Sequence, residues 1–176
     1  MYNSRKINSL VLLNYCDGLE YFLLWCQQLI AESLGKKGKG IIPIISMAPR
    51  DHHSLLQFYL DGPKDSFFYI FSLKHPKKKF KKNKGFFVEA LNNKNIYEVI
   101  ENQKNALLSL LKTKKIPYLS IEMKKRDEET IGELFSYFIL ETILMAENLN
   151  INPFNQPAVE QLKVLTKQIL FKKTQK

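Results

Sequence analysis

The sequence predicts an α/β fold, a three-layer α/β/α sandwich around a mostly parallel sheet. Three observations carry this. Short apolar runs alternate along the chain with longer stretches of helical spacing. The connections between the runs are long enough for helical crossovers. Residues 67–73 are apolar or aromatic nearly without interruption, as a strand covered on both faces requires. The elements follow in order. Residues 11–13 form a short apolar run, and Asp17 opens an amphipathic helix through Leu34 with Leu19, Phe22, Leu23, Cys26, Leu29 and Ile30 at helical spacing. Gly35 is its expected left-handed stop, with Lys36, Lys37 and Lys39 near the negative end of the helix dipole. A strand over 41–46 follows. Asp51 is placed to cap a helix running to about Leu60, with His52, His53 and Ser54 as its first residues. The strand over 67–73, a helix over 96–112, a strand over 116–122, a long helix over 128–149 and a last one over 156–171 complete the chain, with no internal repeat and no linker.

Composition bounds the function. The chain has 176 residues, 45% of them apolar, one domain's worth with material for a core. Cys16 and Cys26 lack the paired spacing of a zinc or redox motif and read as buried hydrophobes in a reducing compartment, with no metal and no cofactor implied. The longest greasy stretch, residues 19–30, is broken by Glu20, Gln27 and Gln28, so no membrane span is expected. The apolar run at 10–13 is too short for a signal peptide, which points to a cytoplasmic protein.

Net charge is +10, but residues 74–84 alone hold seven Lys, leaving +3 elsewhere. A nucleic-acid reader scatters Arg among aromatics to fork onto phosphates and stack on bases; here only Arg5, Arg50 and Arg126 are Arg. The run is read as a solvated Lys-rich loop, and a nucleic-acid partner is not expected.

Three places carry residue types that folding alone does not need. Glu32 lies in the last turn of its helix, beside carbonyls whose dipole repels negative charge, a setting suited to a base that takes a proton next to a carbonyl. The alternative is a carboxylate paired with Lys36 or Lys39 in solvent. The glycines at 35, 38 and 40 lack Walker spacing and follow a helix instead of opening one. His52 and His53, at a helix start, would be kept neutral by the dipole, and side chains about 100° apart cannot by themselves hold a metal. Surface exposure is the plainer reading. Gln156 and Lys163, seven apart, share a helical face and could grip one polar ligand; an ordinary exposed helix is the alternative.

Read jointly, Ala-Glu-Ser-Leu-Gly-Lys at 31–36, Asp-His-His-Ser-Leu-Leu-Gln-Phe-Tyr-Leu-Asp-Gly-Pro at 51–63 and Phe-Asn-Gln-Pro-Ala-Val-Glu-Gln-Leu-Lys at 154–163 resemble the glucose-6-phosphate isomerase family in residues, order and spacing. The likeness runs over about residues 10–171 and is greatest to the bacterial branch. It implies a flavodoxin-like sugar-isomerase (SIS) domain over residues 1–176, the second of the two such domains in family members. It also implies an intramolecular oxidoreductase that interconverts glucose 6-phosphate and fructose 6-phosphate in glycolysis and gluconeogenesis. Glu32 would move a proton between C2 and C1 through a cis-enediol, His53 and Lys163 would assist ring opening, and Gln156 would touch the substrate near its phosphate. The His is typically donated by the other subunit of a dimer. The first domain, with its Ser/Thr-rich phosphate loop and enediolate-steadying Arg, is not found in the sequence. The expectation is therefore little or no activity from this chain alone, working as a homodimer or with a separate first domain; the alternative is a non-catalytic sugar-phosphate-binding module. His52 stands where relatives usually have Gln, and Pro157-Ala158 replaces the usual Gly of the last signature, adding a Cβ beside the ligand.

Overall fold

In a computed structural model the chain is described at residues 7–74, 92 and 94–173. Four strands, β1 (Ser9–Asn14), β2 (Ile42–Met47), β3 (Ser66–Leu73) and β4 (Tyr118–Met123), pair in the order β2-β1-β3-β4, all parallel. The helices are α1 (Glu20–Leu34), α2 (Arg50–Ser54), α3 (Leu56–Asp61), α4 (Ile96–Thr113), α5 (Glu128–Asn148) and α6 (Pro157–Lys173). The run at 11–13 is thus a full strand at the centre of the sheet, in register with β2 at Leu12↔Ile45 and with β3 at Leu12↔Tyr69.

Alternation along the strands divides the core into two. Leu10 and Leu12 of β1 and Tyr69 and Phe71 of β3 face α1 and α5, meeting Phe22, Leu23, Cys26 and Phe138. Val11 and Leu13, with Phe68 and Ile70, face the other way onto Tyr59, Leu107 and Leu111 of α3 and α4. Helices on both faces explain why β1 and β3 read as continuous apolar runs, whereas the edge strands β2 and β4 are only partly buried. Cys16 and Cys26 are buried and unpaired, as expected of small hydrophobes.

Several expected boundaries change for local reasons. α1 begins at Glu20, not Asp17, because Gly18 turns the chain at φ 76° and Arg126 donates to the Asp17 carbonyl there. Gly35 is not left-handed: its φ is −75°, and the reversal falls on Lys37 (φ 53°) and Gly38 (φ 69°). The expected helix over 51–60 is two short helices, interrupted at Leu55 (φ −119°), and its cap position belongs to Pro49. The Lys-rich run from residue 75 to 84 lies outside the described residues. Among the described residues, no helix is long and apolar enough to cross a membrane.

Phe138 of α5 is fully buried against Phe22, Tyr69 and Phe71 and ties the long helix to both α1 and the sheet. Phe138→Ala should lower the unfolding free energy by about 3–5 kcal/mol, read from the urea midpoint at unchanged slope.

Candidate functional site

Glu32 is half-buried in the last turn of α1, and the loop after it doubles back tightly. Gly40 makes this possible: at φ 111° it runs so close to the Leu34 carbonyl that a side chain there would strike it. From this loop Lys36 Nζ donates to the Asn152 carbonyl at 2.6 Å and Lys39 Nζ to the Leu149 carbonyl at 2.7 Å. Leu149 caps the C-terminal end of α5, so Lys39, expected to sit over α1's own dipole, serves instead the end of a different helix, and Lys36 the turn after it. Loss of hydration lowers the Lys36 pKa, against the opposing pull of Glu32.

These two bonds bring the start of α6 beside Glu32. Gln156 Nε2 donates to Glu32 Oε2 at 2.7 Å, and Gln28 Nε2 to Glu32 Oε1 at 3.2 Å. Both carboxylate oxygens therefore accept from amides, and the solvent pair with Lys36 or Lys39 is not formed. A cavity of about 420 Å³ opens here, lined among others by Glu32, Lys36, Asn152, Gln156 and Ala158. Ala158 does border the space, so its Cβ occupies part of the site that a Gly would leave open.

The other two sequence-derived residues are not brought to this cavity. Lys163, two turns or about 10 Å further along α6, is exposed and ion-paired with Glu160 at 2.7 Å. His53 is exposed on α2, after the C-terminal end of β2. Because α1 runs antiparallel to the strands, Glu32 lies at the edge where the strands begin and His53 at the edge where they end. A six-residue strand, about 20 Å, separates those edges. Nor does His53 sit at a helix start: both His fall in the last turn of the five-residue α2. It is burial that lowers the His52 pKa, the Asp51 charge opposing it. His52 Nε2 lies 2.6 Å from the Tyr15 hydroxyl, whose own pKa burial raises.

Sequence reading missed what holds the His-bearing turn. Asp51 is no helix cap; its buried carboxylate accepts from the Met47 N–H at 2.7 Å, Ser46 Oγ at 3.2 Å, Arg50 Nε at 2.8 Å and Ser54 Oγ at 3.3 Å. The Arg50 guanidinium, helped by the Met47 and Ser46 donors, holds its pKa down to about 2. It also missed Lys104, buried on α4, which donates to Ser72 Oγ at 3.3 Å and pairs with Glu122 at 3.2 Å, locking α4 to β3 and β4. Neither has a local sequence signal, since the Lys104 partners come from distant strands and Asp51 sits at an ordinary capping position.

The comparisons with known proteins agree with the fold and with the resemblance. No protein-family model matches the sequence. The chain is 34% identical over 167 residues to glucose-6-phosphate isomerase of Methanocaldococcus jannaschii, covering 93% of this chain and 41% of that protein. It is 35% identical to the probable glucose-6-phosphate isomerase of Methanococcus maripaludis, covering 97% of this chain and 38% of that protein. To the Campylobacter jejuni enzyme it is also 35% identical, over 94% of this chain and 43% of that protein. The chain thus spans about two fifths of the length of the curated relatives it matches. Among solved structures, a hypothetical protein from Thermus thermophilus superposes with a TM-score of 0.84 at 24% identity, over 94% of this chain and 42% of that one. A glucose-6-phosphate isomerase from Chlamydia trachomatis superposes at 0.75 with 18% identity, over 96% and 35%. At those identities the superpositions speak for the fold alone.

Asp51→Ala should cost about 2 kcal/mol at pH 7 by leaving the Met47 N–H and the Ser46 hydroxyl unpaired. The folded pKa lies below the ordinary carboxylate value, so this stabilisation is present above about pH 4 and is lost as pH falls through about 2. Thermal melts from pH 7 to pH 2 should show the variant's deficit shrinking across that window.

Proposed function

We infer that this chain, which belongs to the glucose-6-phosphate isomerase family as a segment about two fifths of its relatives' length, is the base-bearing part of an aldose–ketose isomerase for glucose 6-phosphate and fructose 6-phosphate. The observation that carries the reading is the contact between Glu32 and Gln156. Residues 124 apart in sequence meet at 2.7 Å on the wall of a cavity of about 420 Å³. Glu32 takes the proton from C2 of the open-chain aldose, leaving a cis-enediol, and returns it to C1 as the hydroxyl proton on O2 passes to O1; atoms and electrons balance without a cofactor. In the free protein the Gln156 amide occupies Glu32 Oε2. Substrate entry exchanges that bond for one between the amide and the sugar phosphate, freeing the carboxylate to act.

His53 and Lys163 assist ring opening in this reading. Since His53 lies at the opposite edge of the sheet from Glu32, the His in each site comes from a second copy, which makes the working unit at least a dimer. Lys163 leaves Glu160 to reach the sugar. A positioned base commonly supplies 10²- to 10⁴-fold, and stabilisation of a developing oxyanion a comparable amount. Tested apart from the phosphate loop and Arg of a first domain, residues 1–176 are therefore expected to catalyse weakly. A second reading, a sugar-phosphate-binding module without turnover, draws on the same geometry: Glu32 is engaged by two amides, and Lys163 is engaged by Glu160.

Incubation of the concentrated chain with fructose 6-phosphate in deuterium oxide should introduce deuterium slowly at C1 or C2, detected by mass spectrometry. Glu32→Gln should lower that rate at least about 100-fold. Binding without exchange supports the module; neither binding nor exchange sinks both readings. Gln156→Ala should weaken sugar-phosphate binding about tenfold, about 1.4 kcal/mol, by calorimetry.

A further inference from the structure

The turn that carries His53 is fastened to two strands by the two residues before it. Asp51 is tied to β2 through the Met47 N–H at 2.7 Å and Ser46 Oγ at 3.2 Å. His52 is tied to the end of β1: its Nε2 lies 2.6 Å from the Tyr15 hydroxyl, and the two rings meet edge-on with centroids 5.5 Å apart. Tyr15 is buried, and its N–H donates to the Phe71 carbonyl of β3 at 2.8 Å, so the hydroxyl is presented from the end of the central strand pair. Successive residues on a helix project about 100° apart. With residue 51 turned toward β2 and residue 52 onto Tyr15, residue 53 has to leave the surface, and His53 is exposed as this requires. One anchor alone would let a five-residue helix pivot; the second sets the direction in which the next imidazole points. Nothing in the mechanism above uses the Tyr15 contact.

We propose that Tyr15 is a positioning residue for ring opening: through His52 it aims the His53 imidazole at the ring oxygen of a sugar phosphate held by a second copy. The proposal rests on the isomerase reading above. Ring opening breaks the C1–O5 bond of glucose 6-phosphate; the anomeric hydroxyl gives up its proton as the C1 carbonyl forms, and O5 takes one up. The sugar's proton count is unchanged and no cofactor enters. A general acid serves O5 only within hydrogen-bond reach, so a small rotation of α2 withdraws it. Tyr15→Phe deletes the hydroxyl and frees His52, and with it α2, to turn.

Two sugars separate aim from fold. The anomers of glucose 6-phosphate interconvert only through the open chain, so exchange spectroscopy by NMR reads ring opening. Erythrose 4-phosphate, whose C4 oxygen carries the phosphate, cannot close a ring, so its deuterium uptake at C2 reads Glu32 alone. In the concentrated chain, Tyr15→Phe and His52→Leu should each lower the protein-dependent rate of anomer exchange at least about tenfold and leave deuterium uptake by erythrose 4-phosphate unchanged. His52→Gln, whose amide nitrogen reaches the place of Nε2, should keep anomer exchange at the rate of the unaltered chain. Unchanged anomer exchange in Tyr15→Phe overturns the proposal, as does an equal fall in both rates, which makes Tyr15 a residue of the fold and not of the aim. His52→Gln as slow as His52→Leu also overturns it. An unaltered chain that labels erythrose 4-phosphate without speeding anomer exchange sinks the proposal and leaves Glu32 as the base; one that does neither sinks the isomerase reading and the proposal together.

Discussion

The parallel direction of the four strands governs which polar residues can meet. Each crossover helix must run back to the edge where the next strand starts, so the end of α1, the end of α5 and the start of α6 gather at one edge. Everything that follows a strand, the Asp51 cluster and both histidines included, gathers at the other. No side-chain rotation spans a strand's length. Glu32 and Gln156 become neighbours, while Glu32 and His53 are kept apart within one chain.

Within the first edge the geometry depends on two lysine ammonium groups that act as donors to backbone carbonyls. Lys36 and Lys39 leave the α1 loop and satisfy the exposed end of α5 and the turn after it, fixing where α6 begins. Charge-assisted bonds of this kind are shorter and stronger than neutral ones. The loop that carries them can fold back because Gly40 takes a conformation closed to residues with side chains. The sequence motif around Glu32 therefore does two things: its carboxylate faces the cavity and its lysines bring the amide to it.

The sheet supplies rigidity behind this edge. Aromatic rings from α1, β3 and α5 interlock at Phe22, Phe71 and Phe138, with edge-on contacts of 5.8 Å between Phe22 and Phe138 and 6.4 Å between Phe22 and Phe71. Such rings bury large area with few rotatable bonds, which holds α1 and α5 in one relation to each other. α6 has no share in that core, and its apolar residues stand exposed.

By itself the sequence determined the α/β class, the main helical and strand segments beyond the first, and three motifs whose order pointed to an isomerase. Periodicity and apolar runs report burial on one side, both sides or none, and burial is what distinguishes these elements. The helix around the histidines came out differently because its break at Leu55 and its turn over Asp51 depend on Met47, Ser46 and Arg50 closing around one carboxylate. The same holds for the partners of Lys36, Lys39 and Lys104, each fixed by chain segments far away in sequence. Only the tertiary structure decided that Gln156 reaches Glu32, that His53 does not, and that α6 stands uncovered. Strand direction and the packing of distant segments set those distances, and no local pattern of residues encodes them.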